Sequence, residues 1–111
     1  MSSFSEKGLL GELEQLVLLA IPHIDGPAYA VSIRDAIEAR TGIALGRGSV
    51  YVALDRLDRK GYVSSWFADP TAERGGKAKR CFEVTAAGKR ALAAADQAVA
   101  RMRTARPART R

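Results

Sequence analysis

Between Arg47 and Val84 the hydrophobic pattern changes period, and no other feature of the chain restricts its fold as much. Val50, Leu54 and Leu57 recur at i, i+4 and i+7, which places them on one face of a helix over residues 47–60. Gly61 follows, where a helix end accepts left-handed backbone. Residues 62–67, Tyr-Val-Ser-Ser-Trp-Phe, are aromatic and β-branched enough to read as a strand. Residues 69–79 form a loop around Pro70 and Gly75-Gly76, and residues 80–84 return as a second strand. Thr85 then offers a hydroxyl to cap a last helix that runs to about residue 104, ahead of Pro107.

Two more helices precede this unit. Over residues 11–21, Leu13, Leu16, Val17 and Ala20 share a face, and Leu18, Leu19 and Ile21 widen the apolar arc around most of the helix. So much apolar surface is expected to need a partner chain as cover. Pro22 ends that helix, and Asp25-Gly26-Pro27 is a turn. Residues 29–41 form the next helix, with Ala30, Ile33, Ala36 and Ile37 inward and Gly42 at its stop. The order is therefore helix, helix, helix, strand, strand, helix. The expected fold is mainly α with a small β-hairpin: a winged helix-turn-helix domain over residues 1–88, then a C-terminal dimerisation helix and basic tail over 89–111. At 111 residues, one domain is the expectation.

The charge is divided unevenly. The net charge is +6, with −3 in residues 1–40 and +9 in residues 41–111. Such a skew favours a polyanion as partner, contacted by the second part. Residues 73–80 supply +3 of it and residues 101–111 supply +5, whereas residues 41–72, which include the helix over 47–60, supply only +1.

In the helix-turn-helix reading the helix over residues 47–60 reads double-stranded DNA, mainly through its N-terminal residues. Arg47 can reach a guanine edge or a phosphate, and Ser49 and the first N–H groups can meet a phosphate. Val52, Asp55, Arg56 and Arg59 complete the outward side, and Arg56 is a candidate contact. Arg74, Lys77, Lys79 and Arg80 concentrate charge at the hairpin tip, where two glycines let backbone lie close to a phosphate or minor groove. Tyr29 and Tyr51 could each donate a phenol hydrogen bond to phosphate, or cap the core. Trp66 and Phe67 alternate on their strand, so one is expected in the core and the other at a surface. Trp66 is the candidate for stacking a small aromatic effector.

In the last helix Leu92, Ala95, Val99 and Met102 are spaced as in a coiled-coil seam. With Leu18 and Leu19 they are the candidate homodimer interface. One Cys and one His exclude an intrachain disulfide and an ordinary zinc site, and Cys81 is expected to be a buried structural thiol. No catalytic constellation, metal site or cofactor motif is readable, so no enzyme activity is expected. No apolar run reaches membrane-spanning length and residues 1–8 carry no signal-peptide pattern, so a cytoplasmic protein without membrane contact is expected.

Several stretches together resemble the PadR-like winged-helix transcriptional regulators over roughly residues 11–90. They are Gly11-Glu12-Leu13-Glu14-Gln15-Leu16-Val17-Leu18; Gly48-Ser49-Val50-Tyr51 through Leu57, with Lys60-Gly61; Ser65-Trp66; Lys79 to Phe82; and Val84-Thr85-Ala86-Ala87-Gly88. The resemblance implies a homodimeric repressor of a palindromic promoter site, joined through its first and last helices and released by a small ligand. The single helix after Gly88 is similar to the family's short C-terminal subgroup. Some members hold flat aromatic compounds between subunits, and some respond to metals. Ala28 stands where the family often has Gly, and Gly46-Arg47 where it often has Ser-Pro, so base preference does not carry over. The alternative is a small winged-helix protein-interaction or RNA-binding module without operator specificity.

Overall fold

Helix α1 (Glu12–Ala20) starts where Gly11 stays extended and its N–H donates to Glu14 Oε1 at 2.8 Å. The computed structural model describes residues 9–68 and 78–105. A 3₁₀ turn over Ile21–His23 absorbs Pro22, and Gly26 turns the chain at φ 81°. Strand β1 (Ala28–Tyr29) leads directly into helix α2 (Ala30–Thr41), which ends on Gly42 at φ 76°. Helix α3 (Arg47–Arg59) follows a short connection. Strands β2 (Val63–Phe67) and β3 (Arg80–Val84) and helix α4 (Ala86–Arg103) complete the order.

The expected two-stranded hairpin is a three-stranded antiparallel sheet in the order β1-β3-β2. Tyr29 does not open the second helix. It pairs with Cys81, and Ala28 pairs with Phe82, on the free side of β3. A strand of two residues has no periodicity to detect, so only its partner reveals it.

The core lies between α1, α2, α3 and the sheet. Val17 and Leu18 of α1, Ile33 and Ile37 of α2, and Val50, Leu54 and Leu57 of α3 meet Val63 and Phe82 of the sheet. Ala95 of α4 closes the cluster over α1. The large apolar arc of α1 therefore has cover within its own chain, because α2, α3 and α4 all pack on it. This corrects two expected dimer residues: Leu18 and Ala95 are fully buried in the single chain and have no surface left for a partner. Leu92 is partly buried against the same core. Leu19, Val99 and Met102 stay exposed, Met102 at 86%.

The turn after α3 fixes how the sheet and α4 leave the helical layer. Gly61 N–H donates to Asp58 O at 3.0 Å and Tyr62 N–H to Leu57 O at 2.9 Å, with Gly61 at φ 79°. These bonds satisfy carbonyls that the helix end would leave open. Thr85 Oγ1 donates to Gly61 O at 2.7 Å and accepts from Gly88 N–H at 3.0 Å. One hydroxyl thus caps α4 and ties it to the end of α3.

Glu14 is 7% exposed and links the same end of α3 to α1. Its carboxylate accepts from Lys60 Nζ at 3.0 Å while holding the Gly11 N–H. Glu14→Ala is expected to lower stability by about 2 kcal/mol, because a half-buried ammonium and a helix-start N–H both lose an acceptor. Glu14→Gln keeps an acceptor and is expected to lose about half as much. Urea unfolding followed by circular dichroism checks both; equal losses would mean that the cap contributes nothing.

Candidate nucleic-acid interface

Helix α3 turns its Val50, Ala53, Leu54 and Leu57 side into the core, so Arg47, Gly48, Ser49, Tyr51, Val52, Arg56 and Arg59 face outward. Gly46 precedes the helix in extended backbone, without a side-chain cap, and no acidic residue stands in the first turn. The first N–H groups of α3 are left for an external acceptor, at the positive end of the helix dipole. Arg47 adds a full charge at that end.

Two flanks of α3 differ in chemistry. On one, Arg47 and Tyr51 meet Tyr29 of β1 and Lys79 and Arg80 at the start of β3. Together with Ala30, Val31, Gly48 and Phe82 they line a cleft of about 300 Å³ that, among the described residues, holds no acidic side chain. Lys79 Nζ stands 4.3 Å from the centre of the Tyr29 ring. A cation on an aromatic face keeps its ammonium outward and oriented at little cost. Four sequence candidates, Tyr29, Arg47, Tyr51 and Lys79, are thus brought together. The short strand β1 does this by setting Tyr29 beside β3.

The other flank holds the remaining two described candidates. Ser49 and Arg56 border a groove of about 620 Å³ with Val52, Glu12 and Glu14. The acidic residues of α1 make this side less favourable to a polyanion. Arg74 and Lys77 lie outside the described residues.

Arg80 corrects the expected basic loop. Its guanidinium donates to Asp58 Oδ2 at 2.6 Å and lies 3.8 Å from Asp55 Oδ1. It also stands 5.0 Å from the centre of the Phe82 ring and 5.9 Å from that of Tyr51. The Tyr51 hydroxyl as acceptor, and then Asp58, hold its pKa above the ordinary arginine value, against the opposing effect of burial. Ser65 Oγ of β2 also donates to Asp58 Oδ2, at 3.4 Å. Asp58 therefore fastens both long strands to α3, and the Arg80 charge is already paired within the chain. Sequence reasoning missed Asp58. The available signal was an acid at i and i+3, Asp55 and Asp58, in an otherwise basic region.

Trp66 and Phe67 are both exposed, at 44% and 68%, so neither is the expected core residue. Strand β2 is a sheet edge, buried at Val63 and exposed at Phe67. Trp66 lines a separate groove of about 450 Å³ with Ile21, Pro22, Pro27, Val84 and Lys89. Cys81 is buried, its thiol donating to Lys79 O at 3.7 Å. Among the described residues no helix is long and apolar enough to cross a membrane.

Comparison with known proteins places this geometry. The model of the transcriptional regulator PadR-like family matches residues 17–94. A 37.1 kDa uncharacterized protein in transposon TN4556 of Streptomyces fradiae is 37% identical over 91 residues, which cover 82% of this chain and 24% of that protein. The chain thus spans about a quarter of that relative. A PadR family transcription regulator from Clostridium difficile superposes with a TM-score of 0.67 at 22% identity, covering 83% of this chain and 91% of that one. Bacillus subtilis PadR, solved in complex with operator DNA, superposes with a TM-score of 0.61 at 15% identity, covering 89% of this chain and 51% of that one. At these identities the two structures share the fold.

Proposed function

This chain belongs to the PadR-like family of transcriptional regulators, and from that premise we propose that it is a homodimeric repressor that reads a twofold promoter site in double-stranded DNA. The observation that carries the reading is the basic and aromatic cleft where Tyr29, Arg47, Tyr51 and Lys79 meet beside the uncapped start of α3. Two such helices related by a twofold enter successive major grooves, with half-sites about one helical turn apart. Lys79 and the start of α3 hold phosphates, and Arg47 reaches a base edge or a phosphate. The distant Bacillus subtilis relative was solved on operator DNA, which supports this use of the fold.

The dimer forms through the residues that α1 and α4 leave uncovered, Leu19, Val99 and Met102. A small aromatic effector bound beside Trp66 releases the DNA. Such a regulator works in the cytoplasm, without a membrane or a cofactor.

Gel-shift titration against the promoters of its own and neighbouring genes tests the reading, with random duplex as reference. Preference for one promoter, with affinity that falls steeply as salt rises, is the expected result. Equal affinity for random duplex overturns operator recognition. Val99→Glu with Met102→Glu is expected to give a folded monomer by light scattering. Its operator affinity is expected to fall on the order of a hundredfold, because two linked half-site contacts become one. A variant that stays dimeric overturns the interface.

A further inference from the structure

The outward side of α3 carries an apolar residue at its centre. Val52 is 53% exposed, whereas the helix packs its core with Val50, Ala53, Leu54 and Leu57 on the opposite side. Gly48, one turn earlier on the same line, has no side chain, and a Cβ built there meets nothing within 4 Å. Val52 is therefore the foremost side chain on that line, with open space over the preceding turn. Asp55, the next residue along this side, is engaged by Arg59 at 3.0 Å and Arg80 at 3.8 Å. An exposed valine also disfavours the helix relative to alanine, since its branched side chain loses χ1 freedom. Val52 borders the groove that carries Glu12 and Glu14, of which Glu14 is already paired with Lys60 at 3.0 Å, and about half of the Val52 surface stays open.

Every base pair presents hydrogen-bonding groups in the major groove, but only thymine adds an apolar one, its C5-methyl. An isopropyl group cannot bond to the polar edges and gains only by covering another apolar group. We infer that Val52 is a specificity-determining residue, which selects thymine at one position of each half-site by packing on that methyl. The inference rests on the DNA-reading role proposed above for α3, and it adds the base and the group recognised.

Removing the methyl alone tests it. Duplexes selected by the protein from a random pool define the half-site, and each thymine is then replaced in turn by deoxyuridine, which keeps all hydrogen-bonding groups. At one position per half-site the affinity is expected to fall about fourfold, the transfer free energy of one methyl-sized group. Val52→Ala, whose fold is checked by circular dichroism, is expected to bind thymine and deoxyuridine duplexes equally. Silence at every thymine, a selected half-site without thymine, or unchanged discrimination in Val52→Ala each overturns the assignment while leaving operator reading intact. Failure to enrich any duplex overturns operator reading, and the assignment with it.

Discussion

Gly88→Ala is expected to lower stability by about 3 kcal/mol, and Gly88→Val to abolish the cooperative unfolding transition. A Cβ at Gly88 stands 2.2 Å from Tyr62 O, 3.1 Å from Tyr62 C and 3.0 Å from Val84 Cγ1. The first two atoms are backbone, and they cannot easily retreat. Tyr62 O accepts from Thr85 N–H at 3.0 Å, and Tyr62 N–H closes the end of α3 on Leu57 O. Moving α4 away instead would stretch the Gly88 N–H bond to Thr85 Oγ1 and uncover Ala95. Helix propensity predicts the opposite sign, since alanine is favoured over glycine by about 1 kcal/mol inside a helix. Urea unfolding decides between them, and a Gly88→Ala protein more stable than its parent would refute the close approach.

The second large effect is on DNA. Arg47→Ala with Lys79→Ala is expected to weaken operator binding by about tenfold to a hundredfold at moderate salt. The slope of log affinity against log salt is expected to become shallower by about 1 for each phosphate that is no longer neutralised. Lys79→Ala alone weakens binding to all sequences, whereas Arg47→Ala shifts sequence preference if its guanidinium meets a guanine. Arg80→Ala separates the two kinds of basic residue. It leaves the salt slope unchanged, because its charge already faces Asp58 and Asp55. It lowers stability by about 1–2 kcal/mol, because Asp58 loses a close, largely buried partner. Salt titrations of the four variants measure these slopes, and a slope that falls equally in Arg80→Ala would place Arg80 on the DNA.

Much of the fold was legible because its signals are local. The spacing of Val50, Leu54 and Leu57, Gly61 after α3, and the hydroxyl of Thr85 each act within a few residues. They placed α3, the turn and α4 correctly. Strand β1 was not legible, because two residues become a strand only when β3 lies beside them. The four cleft residues of the candidate site were each legible as candidates, but not as one set. Arg47, Tyr51 and Lys79 stood out by residue type and position, but their meeting with Tyr29 depends on that strand.

The sequence by itself determined the order of the four helices and the two long strands, the inner faces of α2 and α3 and the skew of positive charge towards its second part. Periodicity, caps and charge counts are properties of neighbours along the chain. Only the tertiary structure decided which residues those elements consume. It buried Leu18 and Ala95 in the core and left Leu19, Val99 and Met102 exposed. It also turned Arg80 inward onto Asp58 while leaving Lys79 on the face of Tyr29. The physical reason is the same in each case. A side chain's free surface and unneutralised charge depend on what packs opposite it, and those partners are far away in sequence.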